Sequence, residues 1–308
     1  MRTVTANYYH VRFGITALLT FLAASALAVF ADDKKPYTPD VKPASKEWQA
    51  SAKRIRVPKG LSLDLWAAEP LLANPVIFCI DNKNRFYVAE TFRLHAGVPD
   101  IRGIMSWLDD DLACRTVEDR VKMMQKRMGK KFADTNVHQE RIRLIADTKG
   151  TGKADRSTVF ADGFNRAETG LAAGLLARGK DVYYTCIPDL WKLTDTKGTG
   201  KADKREKMHT GFGVHIGFIG HDLHGLIMGP DGKLYFSIGD RGINVKTKER
   251  HLFYPDMGCV MRCNLDGSDL EVFATGLRNP QELAFDRHGN LFILHAAMSD
   301  TFSMVWNL

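Results

Sequence analysis

HGLIMGPDGKLYFSIGD, residues 224–240, runs from a short apolar stretch through a polar turn into a second stretch rich in aromatic and β-branched side chains. Three more segments have this form: NPVIFCIDNKNRFYVAE (74–90), GLAAGLLARGKDVYYTC (170–186) and PQELAFDRHGNLFILHA (280–296). Their turns centre on Asn84, Gly179, Gly232 and Gly289, spaced 95, 53 and 57 residues apart. These residues tolerate the positive φ that tight hairpins demand. A second unit alternates with the first: RLIADTKGTGKADRSTVFADGF (143–164), LWKLTDTKGTGKADKREKMHTGF (190–212) and the looser VMRCNLDGSDLEVFATGL (260–277). Two alternating hairpins make a four-stranded repeat of about fifty residues, which is how a propeller blade reads. The expected fold is all-β: a β-propeller over 58–308.

The long first spacing is explained by an insertion at 93–138, partly helical through TVEDRVKMMQKRMGKKF (116–132). Thr116 with Glu118 and Asp119 makes an acidic helix start, and the Lys/Arg-rich end suits a helix C-terminus. Such a segment reads as a lid-like excursion on one face. Four hairpin copies are fewer than a six-bladed ring needs, and HAAMSDTFSMVWNL (295–308) is read as having lost the repeat. About four blades of a six-bladed type, with a truncated end, are therefore expected.

The 308 residues carry 43 Lys+Arg against 36 Asp+Glu, a formal charge of +7, with 44% hydrophobic residues. That composition excludes wholesale disorder and a multi-pass membrane protein. The basic residues are scattered, so no nucleic-acid partner is expected. Arg2, His10 and Arg12 precede the uncharged run 13–31, which reads as a secretory signal (1–31) cleaved before Asp32, or else as an N-terminal anchor. Either places the folded part outside the cytoplasm, periplasmic or extracellular, with membrane contact only through that segment. Residues 32–57, with Pro36, Pro39 and Pro43, read as a solvated linker. Five cysteines leave at least one unpaired; Cys114 with Cys186 is the pairing expected, and no CxxCH haem motif occurs.

DTKGTGKAD occurs at 147–155 and 195–203. Its acidic frame is that of a calcium loop, but Lys149 and Lys197 fall where ligands belong, so the aspartates read as turn caps and no metal ligand is assigned. Chemistry is expected instead at 221–242, where His221 and His224 precede a strand and Asp240, Arg241 and Gly242 follow its partner. Arg278 and Asn279 come at the corresponding place one blade on. A His, an Arg and an Asn at one mouth can serve as base, anion clamp and hydrogen-bond donor. Equally, the histidines can bond to blade backbones while Arg278 pairs with an acid such as Asp240.

The blocks HDLHGLIMGPDGKLYFSIGDRG and GLRNPQELAFD resemble the quinoprotein glucose/sorbosone dehydrogenases, and among them the exported "membrane-bound dehydrogenase domain" proteins of planctomycetes. The resemblance covers 60–294. It implies a PQQ-dependent sugar or alcohol dehydrogenase, with PQQ and Ca²⁺ as cofactors and a c-type cytochrome as a possible electron acceptor. In that family a histidine eight residues before the GPDG turn is the general base; counting back from Gly229 gives His221. The Arg-Asn pair that contacts the quinone maps to Arg278 and Asn279, and Asp240 and Arg241 join them as cofactor-side residues. The chain departs from the pattern at the 295–308 tail, where the family's calcium loop is expected, and at His224, where glycine is usual. An inactive fragment fits these departures. An extracytoplasmic propeller that only binds carbohydrate or protein is the alternative, and a related lactonase would need central carboxylates such as Glu90, Asp240 and Glu282.

Overall fold

The hairpin pivots close as their sequence requires: Asn84, Gly179, Gly232 and Gly289 have φ of 56°, 64°, 78° and 85°. The computed structural model describes residues 37–296 and 301–306. The signal or anchor segment therefore lies outside the described residues, and among those no helix is long and apolar enough to cross a membrane. A short exposed helix, α1 (Glu47–Ala52), occupies the linker. The linker is not wholly free: Tyr37 Oη meets His138 Nδ1 at 3.1 Å and its ring sits edge-on to Phe92.

Four antiparallel sheets follow in series. Blade 1 holds β1 (Pro75–Ile80), β2 (Phe86–Glu90), β3 (Glu140–Ala146) and β4 (Arg156–Phe164). Blade 2 holds β5 (Ala172–Arg178), β6 (Asp181–Cys186), β7 (Asp189–Thr194) and β8 (Lys204–Thr210). Blade 3 begins with β9 (Leu223–Met228) and β10 (Leu234–Ile238), leaves the sheet for a hairpin of β11 (Ile243–Lys246) and β12 (His251–Tyr254), and resumes with β13 (Gly258–Cys263) and β14 (Glu271–Leu277). Blade 4 has β15 (Pro280–Phe285), β16 (Leu291–Ala296) and β17 (Thr301–Trp306). The last strand corrects the reading of the tail: Leu291 to Ala296 pair in unbroken register with Trp306 to Thr301, so the blade pattern continues there. The first strands β1, β5, β9 and β15 face one another in sequence order, which lays the blades around an arc.

Apolar layers between successive blades hold the arc together. Tyr87, Ile142 and Phe160 of blade 1 meet Ala172, Val182 and Tyr184 of blade 2. Tyr183 and Leu190 then meet Leu223, Phe236 and Met261 of blade 3, and Tyr235 and Val260 meet Leu283 and Ile293 of blade 4. Truncating one such buried side chain to alanine costs about 2–5 kcal/mol.

The insertion folds as expected, with α2 (Leu108–Leu112) and α3 (Val117–Met128). Thr116 caps α3 by accepting from the Asp119 N–H at 3.0 Å. Rather than a loose lid, it has a core of its own: Ile101, Cys114, Met123 and Met124 pack on Val214 and Ile216 of the loop before β9. This corrects the disulfide expectation, since Cys114 lies in that cluster and Cys186 lies between blades 1 and 2. All five thiols are free, and burial pushes Cys79, Cys259 and Cys263 up to about 12.

Candidate functional site

The twin DTKGTGKAD turns are structural. Asp147 accepts from the Gly152 N–H at 2.7 Å and Asp195 from the Gly200 N–H at 2.7 Å, which ties each loop to itself. Among the described residues no three His, Cys, Asp or Glu gather where they could hold a metal ion.

The chemistry-bearing groups meet instead where the loop 213–222 enters blade 3. His221 is 5% exposed, and its Nδ1 lies 2.6 Å from Asp240 Oδ1 at the end of β10. The two approach this closely because residue 239 is glycine: a Cβ there would sit 2.7 Å from His221 Cβ. An ionised carboxylate only accepts, so Nδ1 carries the proton and the Nε2 lone pair is left for chemistry. The Phe218 ring stands edge-on to the imidazole at 5.3 Å. Both Phe218 and Asp240 line a cavity of about 300 Å³. The insertion forms its opposite wall with Ile101, Met105, Leu108 and Leu112.

His224, three residues on, does something else. Its Nε2 donates to the Gly220 carbonyl at 2.9 Å, and burial pushes it below its ordinary value, so it stays neutral and orders the loop. Gln281 Nε2 donates to the same carbonyl at 3.1 Å. Arg278 brings Nε to 4.0 Å from Asp240 Oδ2, and its guanidinium stacks 5.5 Å from the Phe218 ring centre. Arg102 of the insertion lies 5.4 Å from that ring. Asn279 is 3% exposed, and its Oδ1 has no hydrogen-bond partner. Arg241 is not brought to the cavity: it is 1% exposed, with Nη1 on Asp222 Oδ1 at 2.5 Å and Nε on the His215 carbonyl at 3.2 Å. Glu90 is likewise sealed, against Arg141.

A second His–Asp pair, which spacing gave no reason to suspect, flanks the same cavity. His215 is 4% exposed, with Nε2 at 3.1 Å from Asp256 Oδ1 and Nδ1 at 2.7 Å from the Asp111 carbonyl. Arg115 pairs with Asp256 at 2.9 Å. Asp111 reaches back, its carboxylate accepting from the Ile216 and Gly217 N–H groups at 2.8 and 3.3 Å. The insertion is thus latched to blade 3 by buried hydrogen bonds and roofs the cavity as a fixed wall.

An anionic planar quinone would fit one side of this site. The Arg278 guanidinium over Phe218 suits a carboxylate, and the buried Asn279 Oδ1, which has no partner, is what a hydrogen-bond donor of a ligand would satisfy.

A family model described as "Domain of unknown function (DUF7133)" matches residues 47–306. "Quinoprotein glucose dehydrogenase B" of Acinetobacter calcoaceticus is 34% identical over 101 residues, covering 23% of this chain and 20% of that protein. Among solved structures, a holo PQQ domain of pyranose dehydrogenase from Coprinopsis cinerea aligns with a TM-score of 0.37 at 11% identity, covering 76% of this chain and 48% of that one. An oligogalacturonate lyase in complex with manganese aligns with a TM-score of 0.40 at 11% identity, covering 75% and 49%. The chain therefore spans about a fifth of the curated relative and about half of these structures.

Proposed function

This chain belongs to the DUF7133 family, and from that premise we propose that its blade-3 mouth is a dehydrogenase site of the quinoprotein type, acting on the hydroxyl of a small alcohol or sugar. The observation that carries this reading is the 2.6 Å contact between His221 Nδ1 and Asp240 Oδ1, of which Asp240 lines the cavity. It supports a general base with a fixed tautomer: Asp240 holds the Nδ1 proton, and Nε2 accepts the substrate hydroxyl proton. Asp240 then stabilises the imidazolium as it forms. Loss of that proton raises electron density on the alkoxide oxygen, so that the carbinol carbon gives up hydride and a carbonyl forms. PQQ, held through Arg278 and Asn279, would supply the two-electron acceptor. No step is assigned to calcium. Arg241 supports the site from behind by fixing Asp222 and the His215 carbonyl. Export through the 13–31 segment, and a c-type cytochrome as the next acceptor, belong to the same proposal.

The test is dye-coupled alcohol oxidation by the chain reconstituted with PQQ, with PQQ binding followed separately by absorbance. His221→Ala should remove turnover and leave PQQ binding in place. Retained turnover in His221→Ala, or its loss in His224→Ala alone, would overturn the assignment.

A further inference from the structure

The wall that the insertion places over the mouth is unlike a sugar site. Ile101, Met105, Leu108 and Leu112 present only hydrocarbon and thioether to the cavity, and the facing Phe218 adds an aromatic edge. The polar lining is acidic: Asp111, Asp240 and Asp256 with His215, and no lysine or arginine among the lining residues. These carboxylates have partners, in the Ile216 and Gly217 N–H groups, His221, and the His215–Arg115 pair. No cation is therefore needed to complete them. A polyhydroxylated ring laid along the apolar wall would lose its water and find no hydrogen-bond partner there, which is costly for each stranded hydroxyl.

We infer that the mouth takes an uncharged alcohol with one polar end and an apolar tail, the hydroxyl directed to Asp240, the lining member of the His221–Asp240 pair, and the tail lying on the insertion wall. The inference deepens the dehydrogenase reading and rests on it for the hydroxyl end only. The tail end stands on the cavity lining. Selectivity comes from a wall latched in place by Asp111, so it does not depend on closure. About 300 Å³ is at the small end of ligand sites, which limits the tail to a short chain.

The test is calorimetric titration of the chain without cofactor, using the 1,2-diol series from propane to octane, with D-glucose as the comparison probe. Each methylene buried on the wall should tighten Kd about fourfold, the equivalent of about 0.8 kcal/mol per CH₂, until the cavity is full and the series levels off. Glucose should bind more weakly than hexane-1,2-diol. Met105→Asp and Leu112→Asp, both at positions more than half exposed, should flatten the series without lowering the melting temperature. A series independent of chain length, or glucose binding better than hexanediol, would overturn the inference. Turnover is scored separately on the PQQ-loaded chain. A normal binding series with no oxidation of any diol would uphold the apolar tail site and overturn the dehydrogenase reading alone.

Discussion

Blades 1 and 3 end their second strands at the mouth with a carboxylate, and the two carboxylates have opposite fates. Glu90 closes β2 with a side chain that is 0% exposed, paired with Arg141, 3.6 Å from Arg143 Nε, and accepting from the Ala73 N–H at 2.7 Å. Asp240 follows β10 with 33% of its side chain exposed, pairs with one histidine, and faces a cavity. In blade 2 the same repeat position is Cys186, a buried thiol. Where the blade repeat needs only a plug, acid with arginine or a thiol does equally well. Where the plug is left open to a cavity and given an imidazole, the position has become chemistry.

The largest expected effect separates these roles by turnover. His221→Ala should lower turnover about 10²–10⁴-fold, and Asp240→Asn should act in the same direction by removing the charge that stabilises the imidazolium and by letting the amide NH₂ select the other tautomer. Asp240→Asn should cost no more than about 1 kcal/mol of stability, because the replaced side chain is a third exposed and the amide oxygen can still accept a hydrogen bond. Glu90→Ala should do the reverse. It strands a guanidinium that is 8% exposed and should destabilise the chain by about 3–5 kcal/mol in denaturant unfolding. A mild unfolding phenotype for Glu90→Ala together with a severe one for Asp240→Asn would break the comparison.

Asn279 sharpens it. A buried amide oxygen without a partner is a liability that a purely structural position would not be expected to carry. Asn279→Leu, of similar size, should therefore stabilise the apo chain by about 1 kcal/mol while weakening PQQ binding in an absorbance titration. A loss of stability in that variant would make Asn279 another plug.

The fold was legible wherever a local rule repeats. Asn84, Gly179, Gly232 and Gly289 mark hairpins because left-handed backbone selects few residue types, and Thr116 marks a helix because an N-cap needs a short acceptor. The strand 301–306 was missed although Phe302, Met304 and Trp306 alternate with period two. The sequence just before it, MSD, copies none of the earlier pivots. His221 and Asp240 could be paired by reading the hairpin register. His215, Asp256 and Arg115 could not, because they come from a loop, a turn and the insertion, and only packing of the insertion on Val214 and Ile216 brings them together. Arg241 shows the same dependence on packing: it stands next to Asp240 in sequence, yet the chain turns at Gly242 and sends it inward to Asp222.

The smallest expected effect belongs to His224. Burial holds His224 below its ordinary value, against the opposing pull of Asp222. The folded chain thus keeps this imidazole neutral while the unfolded chain protonates it near its ordinary value of about 6.5. More protons are bound by the unfolded state in the interval between the two values, so stability from this group is complete above about pH 6.5 and is lost as the pH falls through that interval. His209, buried against the Gly267 carbonyl, is lowered in the same sense and adds to the same acid limb. His224→Gln keeps a donor for the Gly220 carbonyl and removes the titration. Its urea-unfolding stability should therefore fall less steeply than the parent's between pH 6.5 and 5, with the residual slope left to His209 and the remaining groups. If His224→Gln leaves the acid limb as steep as the parent's, the reading of His224 as a buried, neutral, loop-ordering histidine fails.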